Sequence, residues 1–513
     1  MKKMLILPLV LLAGACRSTV PLAEGPAAAR TAPEPVAVVA DSEAPLPPLD
    51  NLTLEQAVSL ALQHNGDLQV QAFEPLVAGT FLALERARFA PELFAGISRR
   101  DNRSSETARS TGEKFDSEIQ QNQLEAGIRR EFATGTDVAL SLAHADETSN
   151  RAPDQNEARV NLTLTQALLQ GRGRAVNLVA IRQAQLGVAI SEAELRGYTE
   201  AIVATVERSY WRFWLAGETI AIARQALEVA EKQLADIRQR IEVGQLARNE
   251  EAVAQAEVAR RRQVMIDAEA ARVRGRLELL AVITPGVMIE NVAPQTVPEM
   301  PDADVSDTAA MRIALAEDSR ADLAEARLRL EQRRLETVMT RDGLLPRLDF
   351  FAQLAKTGFG TDVGDAWSDV GGDNYDVRVG LSLSRTLGNR EEAALDAEAR
   401  FRQDQAQASV ENMRRQIRSR VRIALNELQR ARQQIEASAE TRRFQELTVA
   451  SEIERFQVGT GTALMVAQAQ RDLLASKIDE QKARVQARLA LLDLYVAEGS
   501  LLERRGITTA ARD

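Results

Sequence analysis

Cysteine and histidine are nearly absent from the 513 residues: one Cys, at position 16, and two His, at 64 and 144. A lone thiol excludes disulfides within the chain and thiolate metal clusters. His64 and His144 stand in unrelated contexts without a spaced carboxylate set, so neither a metal site nor a Ser-His-Asp constellation is expected. Gly171-Arg172-Gly173 lacks the Lys-Ser/Thr and the preceding buried strand of a phosphate loop. No catalytic residue, metal or cofactor is therefore expected, and the chain does not read as an enzyme. A surplus of basic charge is missing too: the net charge of −10 argues against a nucleic-acid partner. After the N-terminal segment no run approaches eighteen consecutive apolar residues. Any crossing of a membrane would then have to use strands in a closed barrel.

The chain does contain itself twice. Asp67-Leu68 and Ala90-Pro91-Glu92-Leu93 recur as Asp322-Leu323 and Leu345-Pro346-Arg347-Leu348, displaced by 255 positions. Further on, Val160 to Thr165 answers Val379 to Ser384 at a displacement of 219, and Arg240 to Gly244 answers Arg455 to Gly459 at 215. Matched landmarks in one order argue duplication. The shrinking displacement places an insertion in the first copy, between its first and second strand landmarks.

Residues 1–15 read as an export signal, with Lys2 and Lys3 before a short apolar core. Leu12-Ala13-Gly14-Ala15-Cys16 resembles a lipobox, so Cys16 is expected to carry a covalent lipid and begin the mature chain. Residues 16–50, rich in Pro and Ala, read as an extended tether. Arg17 stands where Asp would signal inner-membrane retention, which points to the outer membrane. The repeats then occupy 51–300 and 301–503, with a C-terminal tail at 504–513.

Within each repeat the expected order is helix, strands, very long helix, helix. Arg174 to Glu242 has no proline and is rich in Ala, Glu, Gln, Arg and Leu; Glu391 to Gln457 repeats the trait. At ~1.5 Å per residue each would reach roughly 100 Å. Ile220, Ala223, Leu227, Ala230, Leu234 and Ile237 step by three and four, a helical seam needing a partner alongside. Each long helix stops at a glycine, Gly244 or Gly459, that lets the chain reverse into a second helix, about Arg248 to Val282 or Ala463 to Val496. Shorter helices, about Leu54 to Phe89 and Thr308 to Gly343, precede the strands, and Pro75 should kink or break the first.

Val160 to Thr165 and Tyr375 to Ser384 alternate apolar and polar residues, as do Leu93 to Arg99 and Leu348 to Lys356 more weakly. The insertion holds one more hairpin, about 121–147, with Leu124 to Phe132 and Thr136 to Leu142 flanking Ala133-Thr134-Gly135. Because the second copy lacks it, it is expected as an accessory outside or above a barrel; the alternative is that it joins the wall, giving six strands per protomer and a wider pore. Asp362 to Asn374 reads as a surface loop.

Thr53-Leu54-Glu55-Gln56-Ala57 through Ala61-Leu62 and Asn65, Ala90-Pro91-Glu92-Leu93, Gln166-Ala167-Leu168-Leu169, Tyr210-Trp211 and the two Val-Gly tips together resemble the TolC-like outer-membrane efflux proteins. The resemblance covers roughly Leu52 to Glu498. It implies a mainly α chain with a β-barrel part, assembled as a homotrimer: four strands per protomer in a shared twelve-stranded barrel in outer-membrane lipid, and helices in a hollow periplasmic tunnel. It further implies a passive exit duct for efflux or type I secretion, energised by an inner-membrane transporter of the RND or ABC class. A periplasmic adaptor would meet Val243-Gly244-Gln245-Leu246 and Val458-Gly459-Thr460-Gly461. Well-known members carry aspartates six and nine residues after the second tip glycine; here Met465 and Gln468 occupy those places. Glu250 and Glu251 are the candidates for negative charge at the aperture instead. Two other readings remain open at this point: a periplasmic adaptor lipoprotein, which would need compact β domains beside one hairpin, and a structural coiled-coil lipoprotein, which would have no use for strands.

Overall fold

The computed structural model describes residues 49–107, 109–286, 289, 291–296 and 308–507. Cys16, the signal segment and the tether up to residue 48 lie outside the described residues.

The first repeat opens with α1 (Leu54–His64), α2 (Gly66–Gln71) and α3 (Glu74–Ala87), three helices where the sequence suggests one that Pro75 kinks or breaks. Thr53 caps α1 in a reciprocal pair with Gln56. Asn65 leaves the helical region and starts α2, its Oδ1 accepting from the Leu68 N–H at 2.9 Å. Pro75 lies in the first turn of α3, where its missing N–H leaves nothing unpaired, so it begins a helix.

There follow β1 (Glu92–Thr107), β2 (Lys114–Phe132), β3 (Thr136–Ser149), β4 (Gln155–Ala167), α4 (Arg174–Asn177), α5 (Val179–Glu242) and α6 (Asn249–Ile283). The second repeat runs α7 (Ala309–Ser319), α8 (Ala321–Gly343), β5 (Arg347–Gly360), α9 (Val363–Asp369), β6 (Tyr375–Ser384), α10 (Arg390–Gln457) and α11 (Ala463–Glu498), and closes with α12 (Leu501–Arg504). With 64 and 68 residues, α5 and α10 are each about 100 Å long. Among the described residues no helix is long and apolar enough to cross a membrane.

All six strands form one antiparallel sheet in the order β1-β2-β3-β4-β5-β6. This corrects the expectation of an accessory hairpin: β2 and β3 are the sheet's interior, and they extend beyond 121–147 to residues 114 and 149. The reason is local. The Ala133-Thr134-Gly135 turn is stitched to the passage from β4 to α4, where the Ala167 N–H donates to Gly135 O at 2.8 Å and the Gly173 N–H to Thr134 O at 3.0 Å. The Asn177 amide also donates to Ala133 O and Gly171 O. Gly135 has φ +80°, and a Cβ there would stand 2.3 Å from Gly171 O, so only glycine lets the turn come this close.

Below the sheet, α3, α5, α8 and α10 lie side by side, α3 on α5, α5 on α8, α8 on α10. One core joins α1 to the middle of α5 and the end of α6, with Tyr210, Trp211 and Phe213 fully buried. A second lies between α7, α8, α10 and α11 around Leu323, Ile417 and Leu494. The two ends of the body are more ordered than the sequence suggests. Leu49, at the end of the assigned tether, is buried in the first core, and Leu52 bridges to Pro294. Arg505, in the assigned tail, forms a two-pronged pair with buried Glu207 at 2.6 Å.

Candidate functional site

Alternation along six registered strands sorts the side chains onto two faces. On one face Leu93 and Ile97 of β1 stand beside Ile128 and Leu124 of β2. Level with them come Leu140 and Leu142 of β3, Leu162 and Val160 of β4, Leu354 of β5, and Val377 and Val379 of β6. Most of these are solvent-exposed in the single chain, Leu93 and Ile97 by more than four fifths. The opposite face carries Glu125, Arg129, Asp137, Arg159, Gln353 and Arg378. A sheet that is apolar outside and charged inside suits a barrel wall between lipid and water. The segment read as a surface loop after β5 contains α9, capped by Asp362 and lying against β4 and β5.

At the far end of the helices, each tip is built by the same chemistry. Val243 ends α5 and Gly244 takes φ +76°, which lets the Gly244 N–H donate to Ile241 O and the Gln245 N–H to Arg240 O. Val458, Gly459 (φ +80°) and Thr460 repeat these bonds onto Phe456 and Arg455. This is the left-handed helix stop that reads as Val-Gly in the sequence. Val243 and Val458 project as exposed apolar side chains. Beneath them Ile237, Ala254, Phe456, Ala463 and Val466 form a small core that joins the two hairpins.

The structure places the aperture candidates apart in role. Met465 and Gln468 are exposed, one turn apart on the first turns of α11. Glu250 is half-buried and its Oε2 accepts from the Ala463 N–H at 3.3 Å, at the start of α11. Glu251 is half-buried and pairs with Arg238 at 2.9 Å, while accepting from Gln255. Both glutamates are thus engaged within the protomer, Glu251 beside a compensating guanidinium and Glu250 on a backbone amide that leaves its charge in place.

Sequence reasoning missed the ion pairs that tie the hairpins. Glu257 on α6 is buried, pairs with Arg261 at 2.6 Å and reaches Arg471 on α11 at 3.3 Å. Burial holds the Arg261 guanidinium below its ordinary pKa, and the Glu257 charge works against that shift. Glu480 on α11 is likewise buried, pairing with Arg442 of α10 and with Arg484 at 2.8 Å. The available signal is a Glu followed four residues later by Arg in both α6 and α11. Of the two histidines, His64 closes α1 against Leu60 O and His144 lies on β3 opposite Leu124. Among the described residues no three His, Cys, Asp or Glu gather as metal ligands.

Fold and faces together define a strand-and-helix protomer with one apolar and one charged sheet face above a layer of long helices. Residues 313–500, most of the second repeat, match the family described as outer membrane efflux protein. The described body has the fold of the solved outer-membrane channels. Similar structures include the outer-membrane channel OprN, 16% identical over 87% of this chain and 90% of that one, with a TM-score of 0.66. The CmeC outer membrane channel of Campylobacter jejuni is 16% identical over 87% and 85%, with a TM-score of 0.63. The MtrE outer membrane channel of Neisseria gonorrhoeae, in its open state, is 18% identical over 87% and 89%, with a TM-score of 0.60. None of the curated proteins matches the chain.

Proposed function

We propose that this protein is the passive outer-membrane exit duct of a tripartite efflux or type I secretion system. The observation that carries the reading is the two-faced sheet joined to helices about 100 Å long, a wall for lipid continuous with a wall for the periplasm. Three copies surround one duct. The exposed Val243 and Val458 tips meet a periplasmic adaptor, and an inner-membrane transporter of the RND or ABC class supplies the energy. A lipid on Cys16 adds an anchor in the outer membrane. A single continuous sheet is not the set of compact β domains that an adaptor would carry, and a coiled-coil lipoprotein would need no sheet at all.

The test is membrane fractionation followed by low-resolution electron microscopy of the purified full chain. Outer-membrane recovery and a hollow, three-fold tube are expected; a soluble or solid particle would overturn the reading. Labelled fatty acid should enter the wild type and not Cys16→Ala, and incorporation into both would remove the anchor from the account.

A further inference from the structure

The sheet is open at both edges, along the outer sides of β1 and β6. In lipid the unpaired N–H and C=O groups of these strands have no water to turn to, so a sheet that faces lipid must close. Six strands are too few to close alone with room inside. An even number, however, lets β6 of one copy meet β1 of the next in the same antiparallel sense. The occupant of each edge is then another copy of this chain.

Resting on the three-fold duct proposed above, we infer that all six strands of each protomer enter the barrel, so that the assembled wall has eighteen strands. The inserted hairpin is what raises the count. Its apolar residues Leu124, Ile128, Leu140 and Leu142 lie level with those of β1 and β4, while Glu125, Arg129 and Asp137 share the charged face. It therefore has the two-faced character of the other strands and not that of a decoration.

Widths support the count. Strands about 4.8 Å apart and tilted by about 40° each occupy roughly 6 Å of circumference, so six take about 38 Å and four about 25 Å. The layer beneath consists of α3, α5, α8 and α10, four helices at about 9–10 Å each, or nearly 40 Å. Only β1, β4, β5 and β6 connect directly to these helices; β2 and β3 are joined to each other at that end by the Ala133-Thr134-Gly135 turn. Six strands match the span of four helices, and four strands would fall short by about a third. The insertion thus keeps the exit as wide as the helical duct, and the barrel adds no narrower limit on cargo size.

The experiment is a high-resolution map of the unmodified full chain in lipid nanodiscs, together with labelling of single cysteines on the hairpin. Eighteen strands are expected, with Leu140→Cys reacting with a lipid-phase maleimide and Asp137→Cys, exposed on the charged face of the same strand, only with a water-soluble one. A twelve-stranded barrel of three copies with the hairpin outside, or equal labelling of both positions from water, would overturn the inference and leave the channel reading standing; two copies sharing twelve strands would overturn the inference and the three-fold count with it. A particle with no barrel would overturn both.

Discussion

Replacing Glu257 by Ala should loosen the join between the two hairpins far more than its position on a highly charged helix suggests. The carboxylate is 5% exposed and its partner Arg261 is 4% exposed, with 2.6 Å between them. Removing one member of a buried pair leaves the other charge without compensation, a loss of about 3–5 kcal/mol. Arg471, on the other hairpin, loses its partner in the same step. If the tips open locally before the body unfolds, this cost appears as faster hydrogen exchange at the start of α11, by roughly two to three and a half decades. Glu251→Gln is the control, because its pair with Arg238 is half open to solvent and worth under about 1 kcal/mol. The assay is hydrogen exchange with mass spectrometry on the purified full chain. Less than a tenfold change for Glu257→Ala, or equal changes in both variants, would refute the reasoning.

Tyr210→Phe should destabilise the core around α1, because the buried hydroxyl donates to Leu52 O at 2.8 Å and accepts from the Thr296 N–H at 2.9 Å. Leu52 O keeps the Gln295 N–H at 2.9 Å, so the Thr296 N–H is the group left without its partner, at a cost of about 1–3 kcal/mol, to be read as faster exchange of the Thr296 amide; unchanged protection would count against this bond as an anchor. Glu200 gives a pH dependence: burial raises its carboxyl from 4.5 to about 7, against the Leu501 N–H that accompanies it. Between those values the folded state keeps a proton that the unfolded state has lost, so stability falls as pH rises from 4.5 to about 7 and is level above. Glu200→Gln should flatten that slope in thermal unfolding; an unaltered slope would assign it to another group. At the aperture, Met465→Asp with Gln468→Asp should strengthen block by trivalent cations added on the tip side, since both positions are exposed on α11. An unchanged block would place the constriction away from this turn.

Much of this architecture was legible because its elements are long and locally consistent. The boundaries of α10 and α11 follow from unbroken helix-forming composition and from Gly459. Thr53 and Asn65 announce α1 and α2 by their side chains, yet the break they make is invisible to periodicity, which runs through it. The hairpin's strands could be found from alternation, but their place in the sheet could not. Pairing of β1 with β2 and of β3 with β4 depends on contacts such as Asn177 with Ala133 O, across 44 residues. The same limit hid the tie between Glu257 and Arg471, which lie 214 residues apart. The contact of Glu250 with the Ala463 N–H, 213 residues away, was hidden in the same way.

The most direct measurement of the central claim is conductance of the purified full chain in planar lipid bilayers. The account predicts uniform unitary steps that persist in time, as expected for a fixed duct of one stoichiometry. They should appear with the folded protein and vanish with a chain lacking β1 to β4. Folded protein that inserts into the bilayer but carries no current under any condition, including after Glu257→Ala loosens the tips, would contradict it.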